Sequence, residues 1–244
     1  MGKKLFVTML FIIVIAIVSA TPIKIVTSPW EPYEYNDNGQ LKGTDVEIVK
    51  RAFNRMGIAV KVEMYPWSRC LKMVKSGEAE GIFTISINPK REEFLLYPEE
   101  GINYSENVFF FNKKKPFGFD GTLESLKGRL IGTTMDYNYG SDFLKSKLFR
   151  RDEAATDLSG IRKIANGRDD LFICDKLVGI FLAKREGVLS KISYIKKPLA
   201  IRKMFLAFRK NNPKNVRLAK DFSKAIKSMK KDGTYKKILD KYLK

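Results

Sequence analysis

The 244-residue chain contains no histidine. That absence removes the usual general base near neutral pH, the Ser-His and Cys-His nucleophile pairs, and the commonest metal ligand. Cysteine is nearly absent as well, limited to Cys70 and Cys174. Neither lies in a metal-ligand spacing, so no metal or cofactor is expected. Both have apolar neighbours on different predicted elements, which favours two buried free thiols, although an oxidising compartment would permit a disulfide. Acids are scarce relative to bases: 27 Asp and Glu stand against 46 Lys and Arg, a net charge of +19. Such basicity raises nucleic acid as a partner, but no RNA- or DNA-binding motif, Walker-type loop or GxGxxG accompanies it. Nucleic acid is therefore not an expected partner.

Long apolar runs are missing everywhere except at the start. There Lys3-Lys4 precedes Leu5 to Val18, and Val18-Ser19-Ala20 supplies small residues. This reads as a secretory signal peptide over residues 1–20, cleaved after Ala20; the run is short for a membrane span. The expected mature protein is exported to the periplasm. Residues 201–244 carry fifteen basic residues and three acids. Lys210, Lys214, Arg217, Lys224 and Lys227 fall on one helical face, with Ala219, Phe222, Ile226 and Met229 on another. A solvated outer face explains much of the excess charge.

The remaining chain alternates strand and helix patterns. Ile23 to Ser28 reads as a strand leading into the rigid, aromatic Pro29-Trp30-Glu31-Pro32-Tyr33. Asn36-Asp37-Asn38-Gly39 signals a tight hairpin. Thr44-Asp45-Val46-Glu47 reads as a capping box opening a helix that Gly57 closes. A strand over 59–65, a helix from Pro66-Trp67 to Gly77 and a strand over 81–86 follow. Asn88-Pro89 then starts a short helix. The pattern restarts with strands at 130–134, 171–174, 192–195 and 204–208 and helices at 141–148, around 161–165 and at 177–184. Two Lys-rich helices end the chain. This is a parallel-sheet α/β pattern given twice.

Arg91 is the odd residue. A cation in the first turn of the Pro89 helix opposes the helix dipole by about 0.3–1 kcal/mol. An anion held at that strand-to-helix junction would explain it; so would a surface pairing with Glu92 or Glu93. In such sheets ligands lie beyond the carboxyl ends of the strands. Trp30, Trp67, Ser86 to Arg91, Asp136 to Tyr139 and Asp175 sit there. Two aromatic plates, a cation and an anion suit a small zwitterion, though Asp175 reads equally well as a plain helix N-cap.

Four stretches carry a resemblance. They are Ser28 to Tyr35 continuing through Gly43-Thr44-Asp45-Val46; Val74 to Glu80; Thr84 to Arg91; and Asn166 to Asp175. Together they resemble the motifs of the periplasmic solute-binding proteins of polar amino-acid uptake (bacterial extracellular solute-binding protein family 3), from Ile23 to the C-terminus. The resemblance implies an α/β fold of two Rossmann-like lobes joined by two crossover strands near 105–111 and 203–208, closing on ligand by a hinge, as in type II periplasmic binding proteins. Lobe one would be 21–105 plus 204–244, and lobe two 106–203. It further implies that Arg91 grips an α-carboxylate with Ser86 alongside, and that Asp175 takes the α-ammonium. Trp30 and Trp67 would sandwich the side chain near Tyr33 and Thr84, and the turn at Asp136-Tyr137-Asn138 would offer backbone N–H groups.

Where the family has glycine and threonine, this chain has Thr84 and Asn88, and Asp136 replaces a second-lobe glycine. The implied function is non-enzymatic: a monomer that captures a small amino acid-like ligand and delivers it to the permease of an ABC transporter. The runner-up is an exported dehydratase of the cyclohexadienyl or arogenate type, with Glu31, Asp136 or Asp175 as the acid. The aromatic plates together with Glu31, Asp136 and Asp175 favour neutral-polar or basic amino acids over acidic ones.

Overall fold

The structure is a computed structural model, and it describes residues 21–135 and 137–243. Residues 1–20, the segment expected to be a signal peptide, lie outside the described residues, as do Asp136 and Lys244. Strand β1 (Ile23–Thr27) is followed by the hairpin β2 (Tyr35–Asp37) and β3 (Gln40–Lys42), helix α1 (Thr44–Arg55), β4 (Val60–Met64), α2 (Trp67–Ser76), β5 (Gly81–Ile85) and α3 (Pro89–Glu92). Short β6 (Leu95–Leu96) and long β7 (Asn103–Asn112) lead into β8 (Leu130–Thr134), α4 (Ser141–Lys145), β9 (Arg150–Ala154), α5 (Asp157–Ala165), β10 (Leu171–Asp175) and α6 (Lys176–Arg185). The chain ends with β11 (Ile192–Tyr194), long β12 (Ala200–Arg209), α7 (Lys214–Lys231) and α8 (Thr234–Leu243).

Local signals explain most of these elements. Asn38 and Gly39 both take positive φ, 51° and 85°, as a two-residue hairpin turn matched to strand twist requires. The Asn88 side chain accepts from the Arg91 backbone N–H at 2.9 Å with Pro89 at the first helical position. The Thr44 capping box does not form. Gly43 is the N-cap of α1, without a side-chain cap bond. A Cβ on Gly43 would lie 2.1 Å from the Tyr33 carbonyl oxygen, so the chain turns there and Thr44 falls inside the helix. The helix expected over 141–148 stops at Lys145, and β9, which the charged Arg150-Arg151-Asp152-Glu153 concealed, forms the sheet edge.

The main sheet runs β4-β1-β5-β12-β7-β10-β8-β9. The flanks are parallel, as short βα connections dictate, while β12 and β7 are antiparallel to each other and to their outer neighbours. Strands β7 and β12 pair over Asn103–Asn107 and Ala200–Met204. After that, β12 continues along β5 and β7 along β10. The paired stretch starts a few residues before the expected crossovers. Each side of this ribbon has helices on both sheet faces and its own cores. One holds Ile25, Phe53, Phe83, Phe208 and Phe222, with Cys70, Ile82 and Ile85 opposite. The other holds Phe110, Phe172 and Cys174, with Phe109, Ile131 and Phe143 opposite. The two cysteines are buried free thiols on different sides of the ribbon.

Helix α7 closes the first lobe from a distance in sequence. Phe222 is fully buried, its ring 5.9 Å from Phe53 and 6.1 Å from Phe208. Phe222→Ala is expected to cost about 3–5 kcal/mol by emptying that contact. Urea denaturation followed by circular dichroism checks it; a loss under 1 kcal/mol would show that α7 does not complete this core.

Candidate functional site

The β7–β12 ribbon has two unlike faces. Residues paired directly across an antiparallel ladder point the same way, so Asn103, Ser105 and Asn107 share a face with Met204, Arg202 and Ala200. Tyr104 and Ile201, on the opposite face, are 59% and 60% exposed. The first face is the cleft floor. On its first-lobe side, the Asn103 amide donates to Asp45. On its second-lobe side, the Glu106 backbone N–H donates to Asp175 Oδ2 at 3.1 Å, and the Ser105 hydroxyl bonds the same carboxylate.

Beneath the first-lobe wall lies a buried polar cluster. Thr84 Oγ1 stands 2.7 Å from Asp45 Oδ2 and 3.1 Å from Glu34 Oε2, and Thr27 Oγ1 donates to Glu34 Oε1 at 3.0 Å. Burial raises both acids, Glu34 well above its ordinary range with Asp45 nearby adding to the rise, and Asp45 to about 6. Thr84 has φ 56°, which costs a β-branched residue on the order of 1–3 kcal/mol. Its two carboxylate contacts hold it there, and it faces this cluster, 5% exposed, in place of an open ligand wall.

Arg91 lies on the lobe-one rim. Its Nη1 donates to the Ser86 carbonyl at 3.0 Å and meets Ser86 Oγ at 3.2 Å. Its guanidinium lies 5.4 Å from the Trp67 ring centroid, and Tyr97 Oη donates to the same Ser86 carbonyl. The pairing with Glu92 or Glu93 does not form: among the described residues no carboxylate makes an ion pair with Arg91. The guanidinium is half-buried, and burial lowers its pKa.

Trp30 and Tyr33 cross to the other lobe. Trp30 Nε1 donates to Asp157 Oδ2 at 3.3 Å, and its ring stands edge-on to Tyr137 at 6.5 Å. Tyr33 Oη donates to Asp175 Oδ1 at 3.1 Å. Asp157 also receives the Thr134 and Tyr137 hydroxyls, at 2.5 Å and 3.2 Å. Trp67, in contrast, stays with Arg91, so the two tryptophans serve different contacts and do not form one sandwich here. Asn138 Oδ1 accepts from the Gly140 N–H, and the Tyr137 N–H points to the Thr134 carbonyl at 3.4 Å.

Asp175 is 1% exposed and caps α6, with Oδ1 accepting from the Leu177 and Val178 N–H groups at 2.9 Å and 3.1 Å. With Tyr33, Ser105 and Glu106 added, the protein's own donors occupy both oxygens. In this arrangement it acts as the N-cap of α6. Glu31 is also engaged, 2.6 Å from Arg185 across the lobes. The acids that favoured a cationic side chain are therefore taken up, apart from Asp136, which is not described. Sequence reading missed Asp157, which looked like the acidic first turn of α5. It also missed Arg202, whose one signal is an arginine continuing the parity of Ala200 and Met204 on the cleft floor.

The sequence profile of the bacterial extracellular solute-binding proteins, family 3, matches residues 23–244. The chain belongs to that family. It is 22% identical over 228 residues to the probable amino-acid-binding protein YxeM of Bacillus subtilis, covering 86% of this chain and 79% of that one. Among solved structures it resembles a histidine kinase sensor domain with similarity to periplasmic binding proteins, at 22% identity and TM-score 0.77 over 91% of this chain and 96% of that one. It also resembles the arginine-, lysine-, histidine-binding protein ArtJ of Geobacillus stearothermophilus, at 20% identity and TM-score 0.73 over 91% and 95%. The fold is thus the two-lobed solute-binding one, and the relatives are binding proteins.

The buried acids of the cleft have a measurable consequence. Burial pushes Asp45 and Asp175 up to about 6, above an unfolded value near 3.9. Between those values each of the two acids binds more proton in the native state than in the unfolded chain, so each contributes stability that grows as pH falls from 7 to 4. For Asp45 alone the expected gain is roughly 2–3 kcal/mol. Urea melts of wild type and Asp45→Asn at pH 4, 5, 6 and 7 read it: the variant is expected to have the flatter profile. Identical slopes would mean that Asp45 titrates normally.

Proposed function

We propose that this chain is an exported solute-binding protein that captures a small, carboxylate-bearing polar solute, an amino acid or a close relative of one, between its lobes. It delivers that solute to the permease of an ABC transporter. Residues 1–20 act as the cleaved signal peptide, lobe one comprises 21–105 plus 204–244, and lobe two 106–203. The observation that carries the reading is Arg91, a half-buried cation at the end of β5 with no ion-pair partner among the described residues. A ligand carboxylate supplies that partner through a charge-assisted hydrogen bond, with Ser86 beside it. Tyr137 and Asn138 approach from the second lobe, and Trp30 and Trp67 flank the entrance, with the buried Tyr33 stacked behind Trp30. The family match supports binding over catalysis. Glu31 and Asp175, two of the candidate acids of the dehydratase reading, are both engaged by the protein's own donors.

Lobe closure is driven by what the ligand bonds only when both lobes touch it. Two measurements test the reading. Native mass spectrometry of gently purified mature protein is expected to show a small retained solute. Calorimetry with that solute is expected to show Arg91→Ala binding about 10–100-fold more weakly. Equal affinities would remove Arg91 from the site.

A further inference from the structure

Arg202 stands on the cleft floor. It lies in the ribbon strand β12 opposite Ser105, on the face that carries Asn103 and the two buried acids. Its Nη1 is buried and has no hydrogen-bond partner. Among the described residues no carboxylate pairs with it. Its Nη2 lies against the second-lobe turn: a Cβ built on Gly140 would be 3.4 Å away. Burial lowers its pKa, with Tyr139 the nearby group that opposes the shift. A half-buried guanidinium with an unpaired N–H is costly unless an anion meets it.

Arg202 and the Arg91 site lie close together. Phe205 of β12 pairs with Ile85 of β5, one residue before Ser86. Ser86 thus lies one residue, and Arg202 three residues, beyond the last β5–β12 pair, on the cleft side of that junction. Two cations without ion-pair partners thus face one cleft, while the acids around it are spent. Asp175 is capped by its own lobe, Asp157 is bonded by Trp30, Thr134 and Tyr137, and Glu31 is paired with Arg185. A ligand with a cationic side chain would meet repulsion from Arg202 and find no free carboxylate there among the described residues. The net charge of +19 acts in the same sense at long range, drawing anions towards the protein.

We infer that the ligand is a small dicarboxylate, one carboxylate held by Arg91 and Ser86 on lobe one and the second by Arg202 on the hinge floor. Asn103 Oδ1, the other unpartnered buried polar atom on that face, is an acceptor and suits a hydroxyl or amine carried between the two carboxylates. This rests on the interlobe binding reading above and narrows its ligand. It also reverses the expectation of a neutral-polar or basic amino acid.

Calorimetry on the mature protein with five probes tests it: succinate, L-malate and L-glutamate, each with two carboxylates, against L-glutamine and L-arginine, each with one. At least one of the first three is expected to bind about 10–100-fold more tightly than both of the others. Arg202→Gln should abolish that preference, and Arg202→Lys should retain part of it. Removing a desolvated cation should leave the melting temperature of the unliganded Arg202→Gln protein unchanged or raised, so a loss of binding is not a loss of fold. Tighter binding of L-glutamine or L-arginine, or no effect of Arg202→Gln on the preference, overturns the inference and leaves the binding-protein reading standing. No response to any of the five also overturns it; a solute retained in native mass spectrometry then still decides the broader reading separately.

Discussion

The β7 strand is bonded to a buried carboxylate on each side of the cleft, and the rest of the molecule depends on that arrangement. Asn103 reaches Asp45 of lobe one, while Ser105 and Glu106 reach Asp175 of lobe two. Asn103 and Ser105 are two positions apart on one face, so the hinge is fixed to both lobes within a single strand repeat. Each carboxylate also anchors its own lobe, Asp45 through Thr84 and Asp175 through the first turn of α6. Unsatisfied, either would cost several kcal/mol; satisfied, they make the ribbon a shared element of two separately cored halves. The cleft floor inherits its precision from this bonding.

The cleft is electrostatically asymmetric. Among the described residues, Glu34, Asp45, Asp157 and Asp175 are bonded to backbone N–H groups, hydroxyls, one indole N–H and one amide. Arg91 and Arg202 have no ion-pair partner there. Arg91 rests on Trp67 and on Ser86, neither of which neutralises it. Cations placed this way hold their position at the expense of solvation. The interlobe bonds from Trp30 and Tyr33 are short-range and polar, which keeps the approach of the lobes orientation-specific.

Much of this architecture was legible in the sequence because its signals are local. The Asn38-Gly39 turn, the Asn88-Pro89 cap and the alternation of strand and helix each rest on a few adjacent residues. Arg91 stood out because a cation in a first helical turn is locally unfavourable. What stayed hidden depends on distant partners. Asp175 carries equal signals for a cap and for a ligand, and Tyr33, 142 positions away, contributes to the decision. Thr44 to Glu47 matched a capping box, yet the approach of the Tyr33 carbonyl to Gly43 shifted the cap by one residue. Strand β9 was masked by four charged residues whose exposure makes sense only at a sheet edge. Arg202 is one arginine in a lysine-rich segment until the ribbon register assigns it a face.

The insertion of β12 between β5 and β7 has a consequence for how the chain is made. Strand β5 pairs with β1 on one edge, and its other edge stays open until Phe205 to Phe208 arrive some 120 residues later. Helix α7, which covers the same core with Phe222, comes later still. The second lobe is an insertion whose strands, apart from the ribbon, pair among themselves and with β7, so it can mature first. During synthesis the first lobe therefore waits, with a largely apolar strand unpaired on one edge, for the last sixth of the sequence. Such an edge is a template for misassembly, and its closure is a long-range step of the slow kind. Order of emergence thus leaves β5 half-paired until β12 is made.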